Sequence, residues 1–285
     1  MNLQQIAIIG AGTMGNGIAQ VCAVAGYDVC MVDISEAALD RGLSTLRKNL
    51  ERQVAKQILS ADQAQSALNR ITCSTDYRSL QTVQLVIEAA TENLSLKIRV
   101  LQQVAEHVSE DCVIASNTSS LSITRLAASV TQPQRFIGMH FFNPVPVMSL
   151  LEVIRGLQTS DQTHALALHL ADRLGKVAIT ASNRPGFVVN RILVPMLNEA
   201  ILVLQEGLAG AEEIDLGMVL GCNQPIGPLA LSDLIGLDTL LAVLDSLYDG
   251  FNDSKYRPAP LLKEMVAAGY LGRKSGRGFY AYARA

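Results

Sequence analysis

Residues 5–15, Gln-Ile-Ala-Ile-Ile-Gly-Ala-Gly-Thr-Met-Gly, constrain the fold of this chain more than any other stretch. Gln5 to Ile9 reads as a short buried strand, and Gly10-Ala11-Gly12-Thr13-Met14-Gly15 leads directly into a helix-like run to about Ala25. A second strand-like run, Val29 to Val32, ends in Asp33, 23 residues after Gly10. The first glycines permit a tight turn and let backbone amides at a helix N-terminus approach a pyrophosphate. Gly15 permits close packing of helix on strand, and an acid at Asp33 suits the two ribose hydroxyls of a dinucleotide. The glycine pattern alone is weak and also fits a plain βαβ turn; strand, helix, second strand and acid together favour a dinucleotide site. Asp33 would repel a 2′-phosphate and is followed by Ile34 and Ser35 with no arginine beside it, so NAD is favoured over NADP.

From Ser35 to about Leu68 the pattern is helical, with a break at Ser60-Ala61-Asp62-Gln63, which has the form of a capping box. A helical hairpin is therefore inserted into the βαβ order. Arg41, Lys48, Arg52 and Lys56 recur at spacings of seven, four and four on one helical face. That face is either solvated or a phosphate-binding stripe. Strand-like runs at Arg70–Cys73, Leu85–Glu88 and Cys112–Ala115, and a helical run from about Ser95 to His107, extend the alternation expected of a parallel, doubly wound sheet. Such sheets bind ligands at the carboxyl ends of their strands, where Glu92, Lys97 and Ser116-Asn117-Thr118-Ser119-Ser120 fall; the serines also suit a helix cap.

The run Phe136–Phe141 places His140 at the end of an apolar strand, and Glu152 lies in the next apolar run, beyond a turn imposed by Pro144 and Pro146. A histidine exchanges protons near neutral pH, and a carboxylate on its far ring nitrogen would fix the tautomer. The pair also fits a core histidine beside an unrelated glutamate. A helix from about Asp161 to Gly175 and a strand at Lys176–Thr180 follow. Ser182–Gly186 has the composition of a linker, so domains of 1–183 and 184–285 are expected, the second all-helical until a strand pattern at Gly278–Tyr282. Residues 187–206 are apolar nearly all round, with Pro195 expected to kink the helix, which calls for burial in the second domain or against another subunit.

Composition excludes several classes. A hydrophobic content of 49% with 17% charged residues describes a folded globular chain, and a net charge of −3 argues against a nucleic-acid binder. The five cysteines form no Cys-x-x-Cys pair, and four sit in apolar runs where reduced thiols pack as small hydrophobes; this suits the cytoplasm. His107, His164 and His169 show no metal-ligand spacing. No apolar run is long enough to span a bilayer, and no signal peptide is evident. Gly272–Gly276 lacks the spacing of a phosphate loop and reads as a turn carrying Lys274.

Across nearly its whole length the chain resembles the short-chain L-3-hydroxyacyl-CoA dehydrogenases. The resemblance is carried by Gly10–Gly15, Glu92-Asn93-Leu94, Ser116–Ser120, Gly138–Pro146 (with His-Phe-Phe-Asn-Pro), Pro185–Arg191 (Pro-Gly-Phe-Val-Val-Asn-Arg) and Gly272–Tyr280. It implies a Rossmann-like N-terminal domain with a helical-hairpin insertion, an all-helical C-terminal domain through which a homodimer forms, and NAD-dependent oxidation of a short (S)-3-hydroxyacyl-CoA. By the same resemblance His140 is the general base, Glu152 its orienting partner, and Ser119 and Asn190 surround the reacting oxygen. Gly10, Gly12, Thr13, Met14, Gly15 and Asp33 match cofactor contacts, as do Glu92, Lys97, Ser119, Asn143 and Lys274. Lys56 matches a lysine at the coenzyme A end, Asn49 stands where relatives carry a serine touching coenzyme A, and Ser119 also meets substrate. The substrate is expected between the two domains, and the length leaves no room for a fused hydratase. A dehydrogenase of a free hydroxy acid such as L-gulonate, or a silent NAD-binding protein, would share the fold.

Overall fold

The computed structural model describes residues 3–283. The chain divides between Asn183 and Arg184 into two compact units. The first contains β1 (Gln5–Ile9), α1 (Thr13–Val24), β2 (Asp28–Val32), α2 (Glu36–Ala55), α3 (Ala61–Asn69), β3 (Ile71–Ser74), β4 (Leu85–Glu88), α4 (Leu94–His107) and β5 (Val113–Ser116). It continues with α5 (Ile123–Ala127), β6 (Phe136–Phe141), β7 (Leu150–Arg155), α6 (Asp161–Arg173) and β8 (Val177–Ser182). The eight strands form one sheet in the order β3-β2-β1-β4-β5-β6-β7-β8. Helices cover the sheet, so the central strands are buried on both sides and read as continuous apolar runs rather than alternating ones. Ile6, Ile8, Met31, Leu85, Ile87, Ile137, Met139, Leu151 and Val153 form the core of this unit.

The expectation of a parallel sheet holds for every pair but one: β6 and β7 are antiparallel. The reason is local. Only Phe142 to Ser149 separates the two strands, too short a link for a crossover back to a parallel neighbour, which takes a dozen residues or more. The α2–α3 hairpin is inserted between β2 and β3, and the capping box forms as its sequence dictates. Ser60 accepts from the Gln63 amide at 3.1 Å, and the Ser60 amide donates to the Gln63 side chain at 2.8 Å.

The second unit is helical: α7 (Val189–Gln205), α8 (Ala211–Cys222), α9 (Pro228–Ile235), α10 (Leu237–Phe251) and α11 (Pro260–Ala267) around Leu197, Ile201, Leu229, Leu240, Leu244 and Leu247. The strand pattern at Gly278–Tyr282 does not become a strand; the segment makes isolated bridges between Arg277 and Gly272 or Ala281. Its amides are taken by a side chain instead. Buried Asp233 accepts from the Phe279 and Tyr280 amides and the Tyr282 hydroxyl, each at 3.0 Å.

α7 carries Pro195 in its interior and is not enclosed all round: Ile192 is 68% exposed. The cysteines also divide unexpectedly. Cys22 and Cys112 are buried, and burial pushes both thiols up to about 12, whereas Cys73 and Cys222 are exposed. Cys73 lies in the edge strand β3, where Thr72 is exposed as well, and Cys222 is the last residue of α8. Among the described residues no helix is long and apolar enough to cross a membrane.

Candidate active site

The three glycines after β1 are required for three different reasons. Gly10 has φ +102°, open to glycine and strained for other residues. A Cβ on Gly15 would lie 1.7 Å from the Gly10 carbonyl oxygen, so α1 can start this close to the turn only without one. A Cβ on Gly12 would meet no protein atom within 4 Å; its side of the backbone is open space. Gly12 is also the N-cap of α1 and gives the first-turn amides no side-chain acceptor, which leaves them suited to a pyrophosphate. Gly10 and Gly12 line a cavity of about 450 Å³ together with Asp33, Ile34, Arg41, Tyr77 and Ala90. The Asp33 carboxylate accepts from the Ala11 amide at 2.8 Å and the Ser35 amide at 3.3 Å, which fixes the acid beside the glycine turn. The donors, the open face at Gly12 and the acid fit a dinucleotide. No arginine adjoins Asp33 in the chain, and Arg41, farther along α2, also lines this cavity.

In the antiparallel β6–β7 ladder, His140 stands directly opposite Glu152, so both side chains leave the sheet on one face. Their contact is His140 Nδ1 to Glu152 Oε2 at 2.7 Å, with the glutamate wholly buried and the histidine nearly so. An ionised Glu152 accepts the proton on Nδ1, which sets the tautomer whose Nε2 has the lone pair for a substrate proton. The turn after β6 is pinned from the far side by Lys176, whose ammonium donates to the carbonyls of Val145 and Met148, each at 2.6 Å. Nothing in its spacing marked Lys176 out, since only the pairing of β8 with β7 brings it beside the turn.

β5 ends at Ser116, and the loop beyond it is organised by Glu92. One Glu92 oxygen accepts from the Thr118 hydroxyl at 2.6 Å, the Ser119 amide at 2.9 Å and the Ser120 amide at 3.1 Å, with the Ser120 and Ser119 hydroxyls at 3.0 and 3.3 Å. Burial by itself would raise the Glu92 carboxyl, but the Lys97 ammonium and these hydrogen bonds outweigh it and hold the group below the usual carboxylate range. Helix capping is not the loop's task, because Ser122 caps α5. Asn117 joins the loop to the histidine strand by accepting from the Phe141 amide at 2.9 Å. Asn93 caps α4, which places Glu92 just before the helix and Lys97 one turn inside it. Lys97 is 1% exposed and its ammonium meets Glu88, Ala90 and Glu92.

Residues 5–184 match the family model described as the NAD binding domain of 3-hydroxyacyl-CoA dehydrogenase, and residues 186–282 match that of its C-terminal domain. The chain belongs to the 3-hydroxyacyl-CoA dehydrogenase family. It is 61% identical to the (S)-3-hydroxybutyryl-CoA dehydrogenase of Ralstonia eutropha, whose crystal structure superposes with a TM-score of 0.97 over 99% of this chain and 100% of that one. A probable 3-hydroxybutyryl-CoA dehydrogenase of Bacillus subtilis is 49% identical, over 99% of this chain and 98% of the relative. The mitochondrial hydroxyacyl-coenzyme A dehydrogenase of rat is 39% identical, over 98% of this chain and 91% of the relative. The protein is therefore an NAD-dependent oxidoreductase of this family.

Within this dehydrogenase, the glycine turn, Asp33, Glu92, Lys97, Ser119, His140 and Glu152 all belong to the sheet unit. Asn143 is exposed in the turn after β6. Asn49 is half-buried on α2, and Lys56 is exposed as its C-cap. Lys48 and Arg52 are exposed on α2 as well. Asn190 stands in the first turn of α7, and Lys274 lies in a short turn of the helical unit, 2.7 Å from Asp238. Glu88 and Lys176 were not singled out from sequence; each acts through a partner distant in the chain.

Proposed function

We propose that this protein interconverts (S)-3-hydroxyacyl-CoA, with 3-hydroxybutyryl-CoA the favoured substrate, and the corresponding 3-oxoacyl-CoA. The observation that carries the reading is the buried His140–Glu152 pair, on the sheet that also bears the dinucleotide cavity. NAD, when bound, supplies the acceptor for the hydride from C3. His140 Nε2 takes the hydroxyl proton, and Glu152 offsets the positive charge that forms on the ring. Ser119 and Asn190 are assigned to the reacting oxygen. The glycine turn and Asp33 hold the dinucleotide, with Glu92, Lys97, Ser119, Asn143 and Lys274 as further cofactor contacts, and Asn49 and Lys56 are assigned to coenzyme A.

Oxidation of NADH by acetoacetyl-CoA tests this, beside NADPH and a His140→Ala variant. Rapid use of NADH is expected, slow use of NADPH because Asp33 opposes a 2′-phosphate, and a loss of about 10²–10⁴-fold in kcat without the histidine. A variant as active as the parent would remove His140 from the mechanism. Turnover of L-gulonate but not of the thioester would replace the coenzyme A reading with a free-acid one.

The helical unit further supports a homodimer, since it exposes Leu208, Leu216, Leu220 and Ile192. A solution mass near twice the 30.6 kDa chain is expected by light scattering, and a monomer would end this reading.

A further inference from the structure

Lys176 stands where α6 ends and β8 begins, and none of the assignments above uses it. Its backbone is fixed on both sides. The Gly175 and Lys176 amides close α6 on the carbonyls of Asp172 and Ala171, each at 2.9 Å, and the Val177 amide donates to the Ser149 carbonyl at 2.8 Å. From this base the side chain reaches the turn between β6 and β7, where its ammonium donates to the Val145 and Met148 carbonyls, each at 2.6 Å. A hydrogen bond from a charged donor is roughly twice as strong as a neutral one. The turn also closes on itself, with the Val147 and Met148 amides donating to the Pro144 carbonyl at 2.9 and 3.0 Å. Its inner side rests on α1: Val145 is buried, and a Cβ on Gly17 would lie 2.9 Å from that of Val145. One segment therefore packs on the helix whose first amides suit a pyrophosphate and continues the strand that carries His140, with Asn143 between the two.

We propose that Lys176 is a positioning residue for hydride transfer: its ammonium clamps the 142–149 turn against α1, and so fixes Asn143 and the end of β6 relative to the dinucleotide helix. The inference rests on the assignment of His140 as the base and of Asn143 to the cofactor. The hydride leaves C3 and the proton leaves the oxygen on C3, so the nicotinamide ring and His140 must flank one substrate. Asn143 lies three residues beyond the base. The clamp therefore acts on the nicotinamide end of the cofactor. The other end is held independently, by the glycine turn and Asp33, and α1 keeps its place through Ile18, Ala19 and Cys22 in the core. Small displacements matter at the reacting end, because a misplacement of about 1 Å can cost about a hundredfold in rate.

The test uses the full chain with Lys176→Met, which keeps the length of the side chain and removes its protons, and with Lys176→Arg, which keeps a charged donor. Hydrogen exchange of the ligand-free protein reads the turn directly, because the Val147 and Met148 amides are bonded within it. In Lys176→Met, exchange across 144–149 is expected to quicken by about tenfold or more while 5–9 is unchanged. With saturating NADH and acetoacetyl-CoA, kcat should fall about tenfold or more. NADH affinity should fall about threefold or more, whereas ADP-ribose, which has the pyrophosphate and both riboses but no nicotinamide, should bind within about twofold of the parent. Lys176→Arg should recover much of the protection and of kcat. A purely architectural role would lower the melting point and leave NADH and ADP-ribose binding in their parent ratio. Unchanged exchange in a folded Lys176→Met would overturn the proposal. So would quickened exchange with kcat and NADH affinity retained, or an equal loss of NADH and ADP-ribose affinity, which would move the effect to α1. Should Lys176→Met not fold, Lys176→Gln carries the same comparison. An inactive parent enzyme would overturn the function, while exchange and the two binding titrations still judged the clamp.

Discussion

A Glu152→Gln enzyme is expected to fold as the parent does and to turn over about a hundredfold more slowly or worse in both directions. Glutamine matches glutamate in size, and the site beneath His140 is wholly enclosed, so packing is conserved while the charge is lost. Two consequences follow. The imidazolium that forms when His140 takes the substrate proton no longer has a carboxylate 2.7 Å from Nδ1, in surroundings that water cannot screen. The glutamine amide can also turn its NH₂ toward Nδ1, which favours the tautomer protonated on Nε2 and removes the base. NADH affinity should stay within about twofold, since Glu152 lies outside the dinucleotide cavity. Steady-state kinetics in both directions, with a thermal melt to show that the fold is retained, makes the comparison. A kcat within about threefold of the parent would show that the pair is structural rather than chemical.

Two alanine substitutions in one glycine motif are expected to fail differently. Gly15→Ala drives a methyl to within 1.7 Å of the Gly10 carbonyl oxygen, a backbone atom that can move only if α1 shifts from β1. Overpacking of this kind costs about 1–3 kcal/mol or more, which for a chain of this size lowers the melting point by roughly 2–12 °C. NADH affinity falls as well, because the helix whose first amides face the pyrophosphate has moved. Gly12→Ala meets no protein atom and has φ −66°, ordinary for alanine, so the ligand-free protein should melt as the parent does. Its methyl nevertheless occupies the space that a pyrophosphate would enter, and NADH affinity is expected to drop about tenfold or more. Melting curves and NADH fluorescence titrations separate the cases. An unshifted melt for Gly15→Ala would contradict the packing argument, and parent-like NADH binding by Gly12→Ala would move the pyrophosphate elsewhere.

Much of this architecture is written in short-range patterns. The strand–glycine–helix unit, the Ser60–Gln63 capping box and the prolines after Phe141 each act within a few residues, so their consequences follow from the local letters. The residues of the candidate site were equally legible: Asp33 at a strand end, a serine cluster after another, a histidine and a glutamate in successive apolar runs. Their arrangement was not. That His140 faces Glu152 is a matter of register, and slipping the ladder by one residue would turn Glu152 to the opposite face of the sheet. Arg41 belongs by spacing to a basic helical stripe, yet the packing of α2 on the glycine turn brings it to the cavity beside Asp33.

Lys97 shows the division most clearly. From sequence it follows a strand end and matches a cofactor contact, but nothing in the local letters shows it buried, since a lysine ordinarily keeps its charge in water. Its burial depends on Glu88 at the end of one strand and Glu92 before the helix, with Ser116 completing the shell from another strand. The C-terminal segment differs from its strand pattern for the same reason, since Asp233, more than forty residues earlier, takes its amides. Apart from that segment, sequence alone determined which elements form and which chemistry they carry, because hydrophobic period, caps and turns are local. Tertiary structure decided which charges are buried and which side chains meet, because the cost of desolvating a group is met only by partners that other elements bring to it.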